Sequence, residues 1–139
     1  MMGYPVTDAD TAAVVGSGDV PVLATPRLIA WLEAATVQAA APLLDAGQTT
    51  VGTAIRIEHR RATPVGGSVE VTAALVGQPD GRRLTFAVDA VDGSGQSVAT
   101  GEIDRVIVDR ERFVRSATAG SVEDVARRRA WNWTGPGHC

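Results

Sequence analysis

A single α+β domain, one long helix laid on an antiparallel sheet, is what the 139-residue sequence predicts. Three observations carry that expectation. An Ala- and Leu-rich stretch opens at Thr25-Pro26 and closes near Pro42. From Thr49 the apolar period changes from helical to two. The period-two stretches are joined by short Gly-, Pro- and Asp-bearing segments, too short for the crossover helices that a parallel sheet requires.

Residues 1–24 are mixed, and Gly16-Ser17-Gly18 marks a loop or lid. Thr25 reads as a helix N-cap with Pro26 at the first helical position, where its missing N–H costs nothing. The run Arg27–Ala41 follows, ended by Pro42 and Gly47. Its small and apolar residues cover every face, the pattern of a helix buried all round. One sheet covers only one side of such a helix. The other side needs the N-terminal segment, a second copy of the chain, or both, so a homodimer is expected.

In the first strand Val51, Thr53, Ile55, Ile57 and His59 fall on one face, and Gly52, Ala54, Arg56, Glu58 and Arg60 on the other. Ala62–Ser68 is a turn, Val69–Val76 a second strand, Gln78-Pro79-Asp80-Gly81 a hairpin signal and Arg82–Val91 a third strand. After the turn at Asp92–Gly95, Gln96–Phe113 supplies one long or broken strand. The expected order is thus a long helix followed by a four-stranded antiparallel meander. A domain over residues 1–115 is followed by a tail, 116–139, in which Ser121 and Asp124 have the spacing of a capping box for a short helix.

Composition narrows the function. The chain is 45% hydrophobic and 21% charged, enough apolar residues for a real core. A net charge of -3 leaves no electrostatic footprint for nucleic acid. All 13 basic residues are arginine, and Arg127-Arg128-Arg129 reads as a solvated face or a helix end. The single cysteine, Cys139, excludes an internal disulfide and fits a reducing compartment. The first twenty residues lack a basic n-region, and Leu28–Leu44 is short of a membrane span, so a cytoplasmic protein with no membrane partner is expected.

Three side chains stand out as candidates for chemistry. Glu33 is a carboxylate on an otherwise apolar helix, where it pays for desolvation unless paired, hydrogen-bonded or protonated; either this turn of the helix reaches solvent or a structural partner, or Glu33 is a base or nucleophile in a cleft. His59 shares a strand face with Ile55 and Ile57, and is either satisfied by a backbone carbonyl or meets Glu33 or Thr25 across the helix–sheet interface. The hydroxyl of Thr25 sits beside unsatisfied helix N–H groups, a place suited to carbonyl or anionic oxygens. Two histidines and one cysteine offer no metal-ligand spacing. Phosphate-loop, dinucleotide and nucleophile-elbow motifs are absent.

The helix opening at Thr25 and carrying Glu33, the run TVGTAIRIEHRRATPVG (Thr50–Gly66) and the late strand Arg105–Phe113 together resemble hot-dog-fold acyl-CoA thioesterases of the fluoroacetyl-CoA thioesterase family. That resemblance implies a hot-dog fold, with the long helix wrapped by the sheet and two subunits joining their sheets into a homodimer or a tetramer. The active sites are then at the dimer interface. It implies Thr25, Glu33 and His59 as catalytic residues, Gly52 as a backbone N–H donor near the thioester carbonyl, and Arg105 near the acyl end of the pocket. Arg60 and Arg61, with Arg82 and Arg83, are candidates for the phosphates of coenzyme A. No cofactor is implied, because CoA is part of the substrate. The segment Gly16–Pro21 holds no Phe where the fluorine-selective enzyme has aromatic lid residues, which favours a small or short-chain acyl group. A hydratase of the same fold fits poorly, with Ala54 five residues before His59 where an Asp is needed. A non-catalytic acyl-CoA-binding protein is the alternative.

Overall fold

The computed structural model describes residues 2–118. Their order is β1 (Met2–Pro5), a 3₁₀ turn at Asp8–Asp10, α1 (Ala12–Val15), α2 (Thr25–Ala40), a 3₁₀ turn at Ala41–Leu43, β2 (Gln48–His59), β3 (Ser68–Leu75), β4 (Arg83–Asp92), β5 (Ser97–Asp109) and α3 (Arg110–Thr118). The strands form one antiparallel sheet in the order β1-β3-β4-β5-β2. The expected helix-on-sheet architecture is therefore present. The four-strand meander is not: β3, β4 and β5 are consecutive, whereas β2 crosses to the far edge and pairs with β5. β1 adds a fifth strand on the opposite edge.

β1 is four residues long and includes Gly3 and Pro5, so it carries almost no strand signal. It is held by its ladder to β3 and by Tyr4, whose ring stacks on Trp31 of α2 at 4.5 Å between centroids and 1° between planes. β5 stops at Asp109 because that side chain accepts the Arg112 N–H at 2.8 Å and caps a new helix. The reading of Gln96–Phe113 as strand thus fails beyond Asp109, and Phe113 is helical. The Ser121–Asp124 signal lies outside the described residues.

The core lies between α2 and the concave face of the sheet, which curls around it. Leu28, Leu32, Ala35 and Ala40 pack on Val69, Val71, Leu84, Phe86, Val88 and Ile103. These helix positions fall at i, i+4, i+7 and i+12, one stripe rather than a whole circumference. The expectation of burial all round is not met within one chain: Ala30, Val37 and Gln38 face outward, and Val37 is 50% exposed.

Two backbone details decide where side chains point. A bulge between Gly52 and Ala54 sets Thr53 out of register, with Gly52 opposite Arg105 and Ala54 opposite Asp104. The strict alternation read from sequence therefore fails. Gly52 shares the helix-facing side with Ile57 and His59 instead of opposing it. Further along, β5 and β2 approach so closely that a Cβ at Gly101 would overlap the carbonyl of Arg56. Only a glycine fits at that approach. Gly101→Ala is expected to cost about 1–3 kcal/mol or more, read from urea unfolding. Gly3→Ala, whose Cβ meets only Glu70 Cγ at 3.9 Å, is the control; equal midpoints for the two variants contradict the account.

Candidate active site

α2 runs along β2 in the opposite direction, so its first residue lies beside the end of the strand. Thr25 is the first helical residue and Ala24 the cap, which corrects the N-cap reading. Freed from capping, the Thr25 hydroxyl sits 2.7 Å from His59 Nδ1. The other ring nitrogen, Nε2, is buried and has no partner among the described residues. Burial pushes the imidazole below the ordinary histidine value, opposed by a backbone group of Arg61. The pair is thus a neutral imidazole anchored through one nitrogen, with the second available to give or take a proton.

A cleft of about 330 Å³ opens beside this pair, lined by Ala12, Ser17, Gly18, Val20 and Leu23 as well as Thr25 and His59. The expected loop at Gly16-Ser17-Gly18 forms its wall. Gly16 closes α1 in the left-handed region, at φ 93°, and the chain returns through Ala13 N–H to the Val20 carbonyl and Ala12 N–H to the Val22 carbonyl. Arg60 and Arg61 stand at the rim. Arg60 is paired with Glu58 at 2.8 Å, and Arg61 is 3.9 Å from Asp92; both are solvent-accessible pairs of small energetic weight. Arg82 and Arg83 do not line this cleft.

A second cluster lies two helical turns on. Glu33 Oε2 is 3.6 Å from Nη1 of Arg105, and both crowd Gly52, where a Cβ would meet them at 3.0 and 3.4 Å. Arg105 is buried; Glu33 is partly open to solvent. Burial lowers the Arg105 pKa and the Glu33 charge opposes that shift, so the guanidinium remains a fixed cation. Nε donates to Thr50 Oγ1 at 2.8 Å, Nη2 to the Thr50 carbonyl at 3.2 Å, and Nη1 to Thr36 Oγ1 at 3.5 Å. Sequence reasoning missed both threonines. The available signal was polar residues on two buried faces, Thr36 three residues after Glu33 and Thr50 two before Gly52.

The fold therefore brings together Thr25 with His59, and Glu33 with Gly52 and Arg105. It does not join the two sets: no hydrogen bond or ion pair links them among the described residues. Thr25 and Glu33 are separated by roughly 12 Å of helix rise. Gly52 and His59 are separated by roughly 20 Å of strand. No group of three or more His, Cys, Asp or Glu side chains suited to a metal ion occurs among the described residues. None of the described helices is long and apolar enough to cross a membrane.

The depressed His59 pKa has a consequence for stability. Below about pH 6.5 the unfolded chain binds this proton more readily than the folded one, so stability falls as pH drops through that value. Urea midpoints between pH 7.5 and 5.5 are expected to decline more steeply for the wild type than for His59→Gln. Parallel declines contradict the assignment.

The family model described as fluoroacetyl-CoA-specific thioesterase matches residues 6–111. The fluoroacetyl-CoA thioesterase of Streptantibioticus cattleyicolor is 40% identical over 92 residues, 66% of this chain; the match spans 65% of that relative's length. A solved structure of the fluoroacetyl-CoA thioesterase FlK superposes with a TM-score of 0.78 at 32% identity, covering 86% of this chain and 92% of that one. A hot-dog-like protein from Thermanaerovibrio acidaminovorans, 22% identical, shares the fold at a TM-score of 0.65 over 97% of this chain and 89% of its own. With a helix wrapped by a curled antiparallel sheet and a family match over most of its length, the chain is a hot-dog-fold member of the fluoroacetyl-CoA-specific thioesterase family.

Proposed function

We propose that the protein is an acyl-CoA thioesterase that hydrolyses a small or short-chain acyl-CoA to the free acid and CoA, and that its catalytic unit is residues 1–115 acting as a homodimer. The observation that carries this reading is the anchored, half-satisfied imidazole of His59 opening onto a cleft, together with a carboxylate held by a buried arginine over a side-chain-free backbone at Gly52. These are the parts that thioester hydrolysis needs: an oxygen nucleophile or the base that generates one, a proton carrier, and space for a carbonyl against the backbone.

Glu33 supplies the attacking oxygen, giving a transient anhydride, or takes the proton from the attacking water. The N–H of Gly52 stabilises the oxyanion as the tetrahedral intermediate forms. The C–S bond then breaks, and His59, oriented by Thr25, passes the proton lost by the water to the CoA thiolate; on the anhydride route that water attacks the anhydride, releasing the free acid and regenerating Glu33. The separation of the two clusters within one chain is the reason for the dimer. The reacting carbonyl spans only a few ångströms, so Glu33 and Gly52 of one subunit meet the partner subunit's Thr25 and His59. The uncovered side of α2 and the free edge of β2 are where a second copy would complete the site. Arg60 and Arg61, which line the cleft, are the candidates to meet the CoA phosphates. No cofactor takes part, and a cytoplasmic location suits a CoA-dependent reaction. The residues at 16–21 that line the cleft are small or aliphatic, which suits small acyl groups generally rather than fluoroacetyl alone.

Thiol release from a panel of acetyl-, fluoroacetyl-, longer aliphatic and aryl-acetyl-CoA esters tests the reading. The wild type is expected to cleave at least one small ester, and Glu33→Gln and His59→Ala each to lower its turnover by roughly 10²–10⁴-fold. Near-normal turnover in both variants overturns the residue assignments. Tight acyl-CoA binding without hydrolysis replaces the enzyme with a binding protein.

A further inference from the structure

Arg105 has more hydrogen-bonding partners than a carboxylate neighbour alone requires, and two of its three bonds go to one residue. The Thr50 hydroxyl accepts from Nε and the Thr50 carbonyl from Nη2, a two-point grip that fixes the guanidinium plane. The third partner is directional. The Thr36 hydroxyl donates to the Glu33 carbonyl at 2.6 Å, so towards Nη1 of Arg105 its oxygen can only accept. Thr36, Thr50 and Arg105 are all buried. With Nε and Nη2 held by Thr50, Nη1 is the corner turned to Glu33 Oε2 and to the open side of Gly52.

We infer that Thr50 is a positioning residue of the active site: it sets the orientation of Arg105, and through Arg105 the placement of the Glu33 carboxylate over Gly52, with Thr36 as the lesser second support. The inference rests on the thioesterase reading above for its effect on turnover, but not for the contact itself. Valine at position 50 keeps the shape and the carbonyl while removing the hydroxyl acceptor. Nε–H is then buried without a partner, and the guanidinium turns to find another. Serine keeps the acceptor. A purely structural threonine would lose stability in the valine variant without changing kcat per folded molecule.

The test combines kinetics with a signature independent of activity. Thr50→Val is expected to lower kcat on the order of tenfold with KM within about twofold, the scale of one charge-assisted hydrogen bond. Thr50→Ser is expected to stay near wild type. The double variant Thr50→Val/Arg105→Gln is expected to be no slower than Arg105→Gln alone, because both act through one guanidinium. In NMR spectra the Arg105 Nε–H signal is expected to be slowly exchanging in the wild type and Thr50→Ser, and lost or fast in Thr50→Val. Unchanged kcat in folded Thr50→Val, or losses that multiply in the double variant, overturns the inference. If Thr50→Val does not fold, Thr36→Val takes its place, with a smaller loss expected from the longer bond and full kcat overturning the proposal. If the wild type cleaves no ester, the thioesterase reading fails, and the NMR arm alone decides the clamp: an unchanged Nε–H signal in Thr50→Val disproves it.

Discussion

Glu33 and Arg105 approach each other because nothing projects from Gly52. A carboxylate and a guanidinium, one from the helix and one from β5, converge on a point of β2 where even a methyl group would crowd both. The bulge that follows supports this arrangement, since without it Gly52 and His59 would present to opposite faces of the strand. A buried arginine carries a desolvation cost that is tolerated only when its donors are met, and Thr50, Thr36 and Glu33 meet them. The polar cluster thus constrains the packing of α2 against β2 and β5 in a core that is otherwise aliphatic.

The antiparallel run of α2 along β2 has a second effect. It spreads the candidate catalytic groups along the molecule instead of gathering them. Thr25 meets His59 at one end, and Glu33 meets Gly52 near the other. A monomer with this geometry holds two incomplete sites. On the proposed reading, a dimer that sets two such chains side by side in opposite directions would hold two complete ones. The exposed side of α2, with Val37 half open to solvent, agrees with a surface intended to be covered.

Much of this was legible in the residues. The long helix showed itself through its Ala and Leu content and its Pro boundaries, and β3 and β4 through alternation and turn chemistry. Glu33 was conspicuous because a charge on an apolar helix needs a partner. His59 followed from strand parity, and Gly52, Arg105, Arg60 and Arg61 from likeness to a family rather than from pattern. What stayed hidden depends on contacts distant in sequence. A bulge shifts the register by one residue without a local signature, so Gly52 was assigned to the wrong face. β2 reaches β5 by a crossover that local turns do not encode. β1 is strand only because β3 and Trp31 hold it. Thr25 looked like a cap because its competing partner, His59, is 34 residues away. Thr50 and Thr36 were invisible for the same reason: their role is defined by Arg105, on another strand.

The central claim, that one site is assembled from Glu33 of one subunit and His59 of its partner, is tested most directly by subunit complementation. Inactive Glu33→Gln and His59→Ala chains are co-expressed with different tags and the mixed dimer is purified. One of its two sites then carries both lesions and the other carries neither. The account predicts that the mixed dimer recovers about half of the wild-type turnover, as expected when one of two independent sites is intact. A mixed dimer as inactive as either parent contradicts it, and places Glu33 and His59 in the service of the same chain.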